Sequence, residues 1–187
     1  MRTPVLVACL GLLAAPLHAQ NNSPLHTFEV GAAAVVPLSG YGTNGFSAGA
    51  GWRAGYQLRL LKHLGGETGF TEAWPVAIDT CLTFRFTCIS SRQYLKFLDY
   101  GLRGTAPLAG GRLDLSIGAG GGYVWNQWKT YNNGALFQYS GKATYALDRK
   151  GRVRVGFTLR FWRDLGRPTQ QWFSTTGGVI VGLGSRP

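Results

Sequence analysis

The chain has 187 residues and a formal net charge of +11, yet only 14% of its residues are charged, 13% are aromatic and 28 are glycine. An ordinary soluble domain carries roughly 25% charged residues and about half this share of glycine. The basic residues are spread along the chain rather than gathered into the Lys/Arg-rich run of a nucleic-acid patch. No apolar run after residue 20 reaches the ~20 residues a membrane helix needs, so a nucleic-acid-binding module and a helical membrane protein are both disfavoured.

The first nineteen residues read as an export signal. Arg2 is their one charge, an apolar run follows from Val5 to Ala15, and Pro16-Leu17-His18-Ala19 ends on a small residue suited to signal peptidase. The competing lipoprotein-like box Leu6-Val7-Ala8-Cys9 leaves Cys9 in the middle of the apolar run, with almost no hydrophobic region before it. Cleavage after Ala19 leaves residues 20–187 as one domain of 168 residues, with 18 basic and 8 acidic groups.

Beyond the signal the chain alternates. Side chains of a strand point to opposite faces in turn, and eight segments put apolar residues on one parity and polar or glycine residues on the other. Phe28, Val30, Ala32, Ala34 and Val36 oppose Glu29, Gly31 and Ala33. Trp52, Ala54, Tyr56, Leu58 and Leu60 oppose Arg53, Gly55, Gln57 and Arg59. The third segment, 65–74, is less regular, with Glu67 on one face and Glu72 on the other. Leu98, Tyr100, Leu102 and Ala106 oppose Asp99, Gly101, Arg103 and Thr105. Leu113, Leu115, Ile117, Ala119, Tyr123 and Trp125 oppose Asp114, Ser116 and three glycines. Phe137, Tyr139, Ala143, Tyr145 and Leu147 oppose Gln138, Ser140, Lys142 and Thr144. Val153, Val155, Phe157, Leu159 and Phe161 oppose Arg152, Arg154, Gly156, Thr158 and Arg160. The last segment, 171–183, is apolar on both faces near its end. These segments run ten to thirteen residues, the length of a tilted transmembrane strand rather than the ~5–6 of a soluble one.

The connections alternate in length. Long stretches at Pro37–Gly49, Pro75–Gln93 and Asn126–Ala135 alternate with short turns near Lys62-His63, Leu108–Gly111 and Asp148–Gly151, and a moderate connection, Leu165–Gln170, comes last. Trp52, Trp74, Tyr94, Trp125, Phe137, Tyr139, Phe161 and Phe173 gather at the strand ends beside the long connections, as the rings of an interfacial girdle do. These features predict an all-β fold, an eight-stranded antiparallel up-and-down transmembrane β-barrel with short periplasmic turns and long external loops. They resemble the OmpA/OmpX-type outer-membrane barrels over nearly all of residues 26–184, in architecture rather than in any sequence motif. Many such barrels end on an aromatic residue that serves assembly, whereas this chain ends Gly182-Leu183-Gly184-Ser185-Arg186-Pro187, a departure that bears on assembly route rather than fold.

The polar parity must then face the lumen, since a charge facing lipid near the midplane costs about 2–4 kcal/mol. This predicts a lumenal ion-pair network of Glu29, Arg53, Arg59, Glu67, Asp99, Arg103, Asp114, Lys142, Arg152, Arg154 and Arg160, which fills an interior just wide enough for side chains. Cys81 and Cys88, exported to an oxidising compartment, are expected to form a disulfide. Catalytic residues, metal sites and cofactors are not expected. His26 and His63, the two mature histidines, fall at the periplasmic end with no paired Ser, and the glycine run Gly118–Gly122 lies mid-strand with no helix to make a phosphate loop. The expected function is that of a non-enzymatic, monomeric outer-membrane protein with a plugged interior. Its partners would be outer-membrane lipid, lipopolysaccharide or an extracellular surface, met through loops 37–49 and 75–93. A narrow anion-preferring pore and a secreted lipocalin-like carrier of a small ligand, with the faces reversed, are the alternatives.

Overall fold

The computed structural model describes residues 24–39, 48–82, 87–126, 134–166 and 171–184, and side chains of 39, 75–93 and 126 are outside the description. The expected signal peptide lies outside the described residues. Eight strands, β1 (His26–Ser39), β2 (Gly49–Arg59), β3 (Leu64–Leu82), β4 (Thr87–Leu108), β5 (Leu113–Asn126), β6 (Gly134–Ala146), β7 (Val153–Asp164) and β8 (Gln171–Leu183), pair antiparallel in sequence order, and β8 closes on β1. A single 3-10 turn, Ala109–Gly111, links β4 to β5.

Closure fixes the geometry of the barrel. A path of facing residues from His26 runs through Leu58, Gly66, Leu102, Ala119, Tyr139, Phe161 and Phe173 and returns to β1 at Val36, ten residues along. Eight strands with this stagger incline at roughly 40–45° to the axis and enclose a lumen that side chains can fill. Glycines of the inward parity let neighbouring backbones close up. A Cβ added at Gly101 or Gly178 would meet the backbone of the adjoining strand, as at the tight bends of small barrels.

The apolar parity faces out. Val30, Tyr100, Leu102, Ile117, Tyr139, Phe157 and Val179 are all exposed, whereas Arg53, Asp99, Arg103 and Arg160 are buried. This is the reverse of the lipocalin arrangement. At the short-turn end, the β6–β7 turn is held by the Val153 N–H donating to the Asp148 carboxylate at 2.8 Å. That bond keeps the Asp148 carboxyl below its usual range. Gly110, Gly111 and Gly151 take the left-handed conformations these turns require.

Two expectations are corrected. Within the connection expected over Pro75–Gln93, residues 76–82 and 87–93 are strand rather than loop. β3 and β4 run on past the barrel, pairing from Val76↔Gln93 to Leu82↔Thr87, while β2 leaves β3 at Trp74 and β5 leaves β4 at Leu95. The result is a two-stranded ribbon of seven facing pairs standing roughly 20 Å clear of the sheet. Pro75 misled the sequence reading. It sits in the register shift between Ala73 and Val76, where a proline interrupts the ladder without ending the strand. The second correction is Arg152, which is exposed in the turn before β7 rather than lumenal.

A closed barrel of this kind resists detergent until heated. Refolded residues 20–187 should run faster unboiled than boiled on a gel and resist protease when unboiled; a single band under both conditions would contradict the closed barrel.

Candidate functional site

The lumen is layered along the axis. The middle layer is built on Arg53 of β2, whose guanidinium makes a two-pronged contact with Asp99 of β4, both at 2.8 Å, and donates to the Thr71 hydroxyl. Arg53 is 2% exposed and Asp99 fully buried. Gly69 makes room for this guanidinium, since a Cβ there would overlap it. Arg160 of β7 reaches the same layer, 3.9 Å from both Asp99 and Glu67, with its Nε donating to the Gln138 side-chain Oε1 at 3.1 Å.

One layer nearer the short turns, Arg103 of β4 donates twice to Glu67 of β3, at 2.6 and 3.0 Å, and again to the hydroxyls of Ser116 and Ser140. Lys142 of β6 crosses the lumen to Glu29 of β1 at 2.5 Å. At the short-turn mouth Arg154 of β7 meets Asp114 of β5 at 2.6 Å and donates to the Gly111 carbonyl at 2.9 Å. Arg59 of β2 lines the same mouth. Of the eleven residues expected in the network, these ten sit in or at the mouth of the lumen, and Arg152 does not.

The layer nearest the long connections was not anticipated. The inward parity there turns apolar, so that Val35, Ala73, Leu95, Phe97, Val124, Leu136, Trp162 and Trp172 form one buried cluster. Phe97 stacks on Trp162 at 4.3 Å and meets Trp172 edge-on at 5.7 Å, so the rings pack together across that end of the lumen. A sequence signal existed in the adjacent pairs Phe161-Trp162 and Trp172-Phe173, where one ring faces out and its neighbour in. Just beneath, along β7 and β8, Arg160 Nη1 and the hydroxyls of Thr158, Ser174 and Thr176 have no protein partner.

Outside, Trp52, Trp74, Tyr94, Trp125 and Tyr139 are exposed, and Phe161 and Phe173 half-exposed. They cluster through ring contacts, Tyr139 stacking on Phe161 at 4.7 Å, Trp52 meeting Phe70 at 5.5 Å and Tyr123 meeting Trp125 at 5.0 Å. Glu72 points outward within this belt and pairs with Lys96 at 3.4 Å. Cys81 and Cys88 face each other directly across the ribbon. His26 hydrogen-bonds the Tyr56 hydroxyl at 2.8 Å and His63 the Thr105 carbonyl at 3.1 Å, both at the short-turn end.

The two kinds of ion pair should respond very differently to mutation. Asp99→Ala strands two buried arginines and is expected to lower unfolding free energy in detergent by about 3–5 kcal/mol. Glu72→Gln, at the exposed pair, is expected to change it by less than about 1 kcal/mol. Urea titration of the refolded variants reads both, and equal effects would contradict the lumenal assignment.

No family model and no curated protein sequence matches the chain. Solved structures do. The Neisserial surface protein A structure aligns with a TM-score of 0.62 at 12% identity, over 84% of this chain and 97% of that one. The outer membrane protein OprG of Pseudomonas aeruginosa aligns at 0.65 and 8% identity, over 87% and 97%. Ail, the attachment invasion locus protein of Yersinia pestis, aligns at 0.53 and 9%, over 86% and 99%. At these identities the likeness is one of fold: the chain is built as a small eight-stranded outer-membrane β-barrel.

Proposed function

We propose that the mature chain is a non-enzymatic bacterial outer-membrane protein, exported by residues 1–19, whose sealed barrel serves as a stand for the 76–93 ribbon and the other long connections. The packing of charged and aromatic side chains inside the barrel is the observation that supports this reading. Charge pairs occupy its middle and an apolar ring cluster packs across one end, so exposed surface is left to do the work. Outer-membrane barrels keep short turns in the periplasm and long connections outside, which sets the ribbon at the cell surface. The solved structures similar in fold include a surface protein and an attachment protein by their names.

Several details agree with this assignment. Exposed Lys96 and Arg163 project among or beside the girdle rings at the long-connection end, where the phosphates of lipopolysaccharide lie. Closure leaves the eight-stranded wall with no free edge, and we read the chain as a monomer whose open edges are those of the ribbon. Both described histidines are engaged at the short-turn end, far from lipid or solvent on the outer side.

The ribbon itself argues for a disulfide. An isolated two-stranded hairpin is marginal in water, and among the described residues no other strand pairs with this one. Facing residues in antiparallel strands have Cα atoms about 4.5–5.5 Å apart, within the span a disulfide bridges. A Cys81–Cys88 bond would stabilise the ribbon by about 2.5 kcal/mol on the chain-entropy estimate.

Two measurements test the reading. In planar bilayers the folded chain should carry no current above background, and reproducible unitary steps would replace the stand with a pore. Protease should cut within 76–93 much faster after reduction, or in Cys81→Ser, than in the oxidised protein; identical cleavage rates would remove the disulfide from the account.

A further inference from the structure

The hydrogen bonds of the lumen leave donors over. Beside the middle ion-pair layer, Arg53 Nε, Arg160 Nη1 and Trp162 Nε1 have no acceptor in the protein, and the hydroxyls of Thr158, Ser174 and Thr176 have no partner there. Each of these six residues is 2% exposed or less. The three N–H groups can only donate. The neighbouring carboxylates are already engaged. Both oxygens of Asp99 accept from Arg53 and both of Glu67 from Arg103, and Glu29 is held by Lys142.

Charge is left over as well. Among the described residues, these layers set Arg53, Arg103, Lys142 and Arg160 against Asp99, Glu67 and Glu29. Arg160 is the cation without a carboxylate of its own. It lies 3.9 Å from Glu67 and from Asp99, beyond hydrogen-bond reach. Asp164 is the next buried carboxylate along β7, but Trp162 comes between them on the inward parity, and Asp164 accepts from the Gly166 N–H at 2.8 Å. A buried charge without a counter-charge is costly.

The register gathers these groups on one patch. Thr158 faces Thr176 and Arg160 faces Ser174 across the β7–β8 ladder. Facing Cα atoms lie about 4.5–5.5 Å apart, and alternate residues of one strand about 6.6 Å, so one guanidinium and three hydroxyls border an area of roughly those sides. Beside Thr176, β1 presents only the short side chain of Ala33. Room is scarce. The cavity that reaches Arg53 and Lys142 holds about 10 Å³, close to what a single water needs.

We infer that Arg160, with the hydroxyls of Thr158, Ser174 and Thr176, forms an internal binding site for one monatomic anion, a halide. A halide accepts from all of these donors, offsets the charge left on Arg160 and needs little more room than a water. Phosphate is too large for the layer, and a cation finds no free carboxylate in it. The site goes beyond the role proposed for the ribbon and does not depend on it.

The test uses the refolded mature barrel in zwitterionic detergent, folded in sodium chloride, sodium bromide or sodium methanesulfonate at matched ionic strength. Chloride and bromide should raise the thermal midpoint saturably above methanesulfonate, an anion too large for the site. Arg160→Gln should abolish that difference. Arg152→Gln, on the exposed turn, should leave the half-saturating concentration within about twofold. Thr158→Val combined with Ser174→Ala keeps the lumenal charge, removes two donors and should weaken half-saturation at least about tenfold. That variant carries the test if Arg160→Gln lacks the unboiled gel mobility of a folded barrel. Crystals grown with bromide should show an anomalous peak within hydrogen-bonding distance of Arg160 Nη1. Equal midpoints in halide and methanesulfonate, a halide effect that survives these lumenal variants, or bromide peaks that avoid Arg160 would overturn the site and assign its donors to water. Bilayer conductance and ribbon cleavage read neither result, so a failed anion site and a failed stand are told apart.

Discussion

The constraint on which the rest depends is that hydrocarbon offers a backbone no hydrogen-bond partner. A sheet crossing it must close on itself. With eight strands and a stagger of ten residues, closure dictates lumen width, strand tilt and the face each residue takes. Every other feature answers to that width. Inward glycines such as Gly69 make room for large guanidinium groups, which must then find carboxylates because a buried unpaired charge is costly. Asp99, Glu67, Glu29 and Asp114 each take one basic partner at 2.8 Å or less.

Much of this was written in the period-two pattern. Along β7 the alternation of Val153, Val155, Phe157 and Leu159 with Arg154, Thr158 and Arg160 assigns both faces without reference to any other strand. The charged middle of the lumen was legible because ionised groups have one tolerable side of such a strand. The apolar cluster was not, because Leu95, Phe97 and Trp162 are compatible with either side, and their direction is set by closure rather than by their own chemistry. The ribbon was hidden for a related reason. Pro75 and the small polar residues near the cysteines carry turn chemistry, whereas the pairing of Val76 with Gln93 is a property of two distant segments. Arg152 shows the limit of parity, which gives the face of a residue but not the strand's end.

The lumen therefore has opposite characters at its two ends. At the long connections the inward residues behave as a protein core, dry and aromatic. At the short turns they leave a small cleft lined by charged and polar side chains. The ion-pair layers between them mark the change. The inward side chains thus change in character along the axis, from aromatic to ionic.

The connectivity of the buried pairs has a consequence for the order of events in folding. Arg53 and Asp99 join β2 to β4, Arg154 and Asp114 join β7 to β5, and Lys142 reaches from β6 to Glu29 on β1. The Lys142–Glu29 pair, 113 positions apart in sequence, cannot form until the two edges of the sheet have been brought around the circle. Such distant contacts come after the hairpins that precede them. Interactions made after the rate-limiting step act on unfolding rather than on folding. The Lys142–Glu29 pair thus works as a latch, tying together strands that only the closed circle brings within reach.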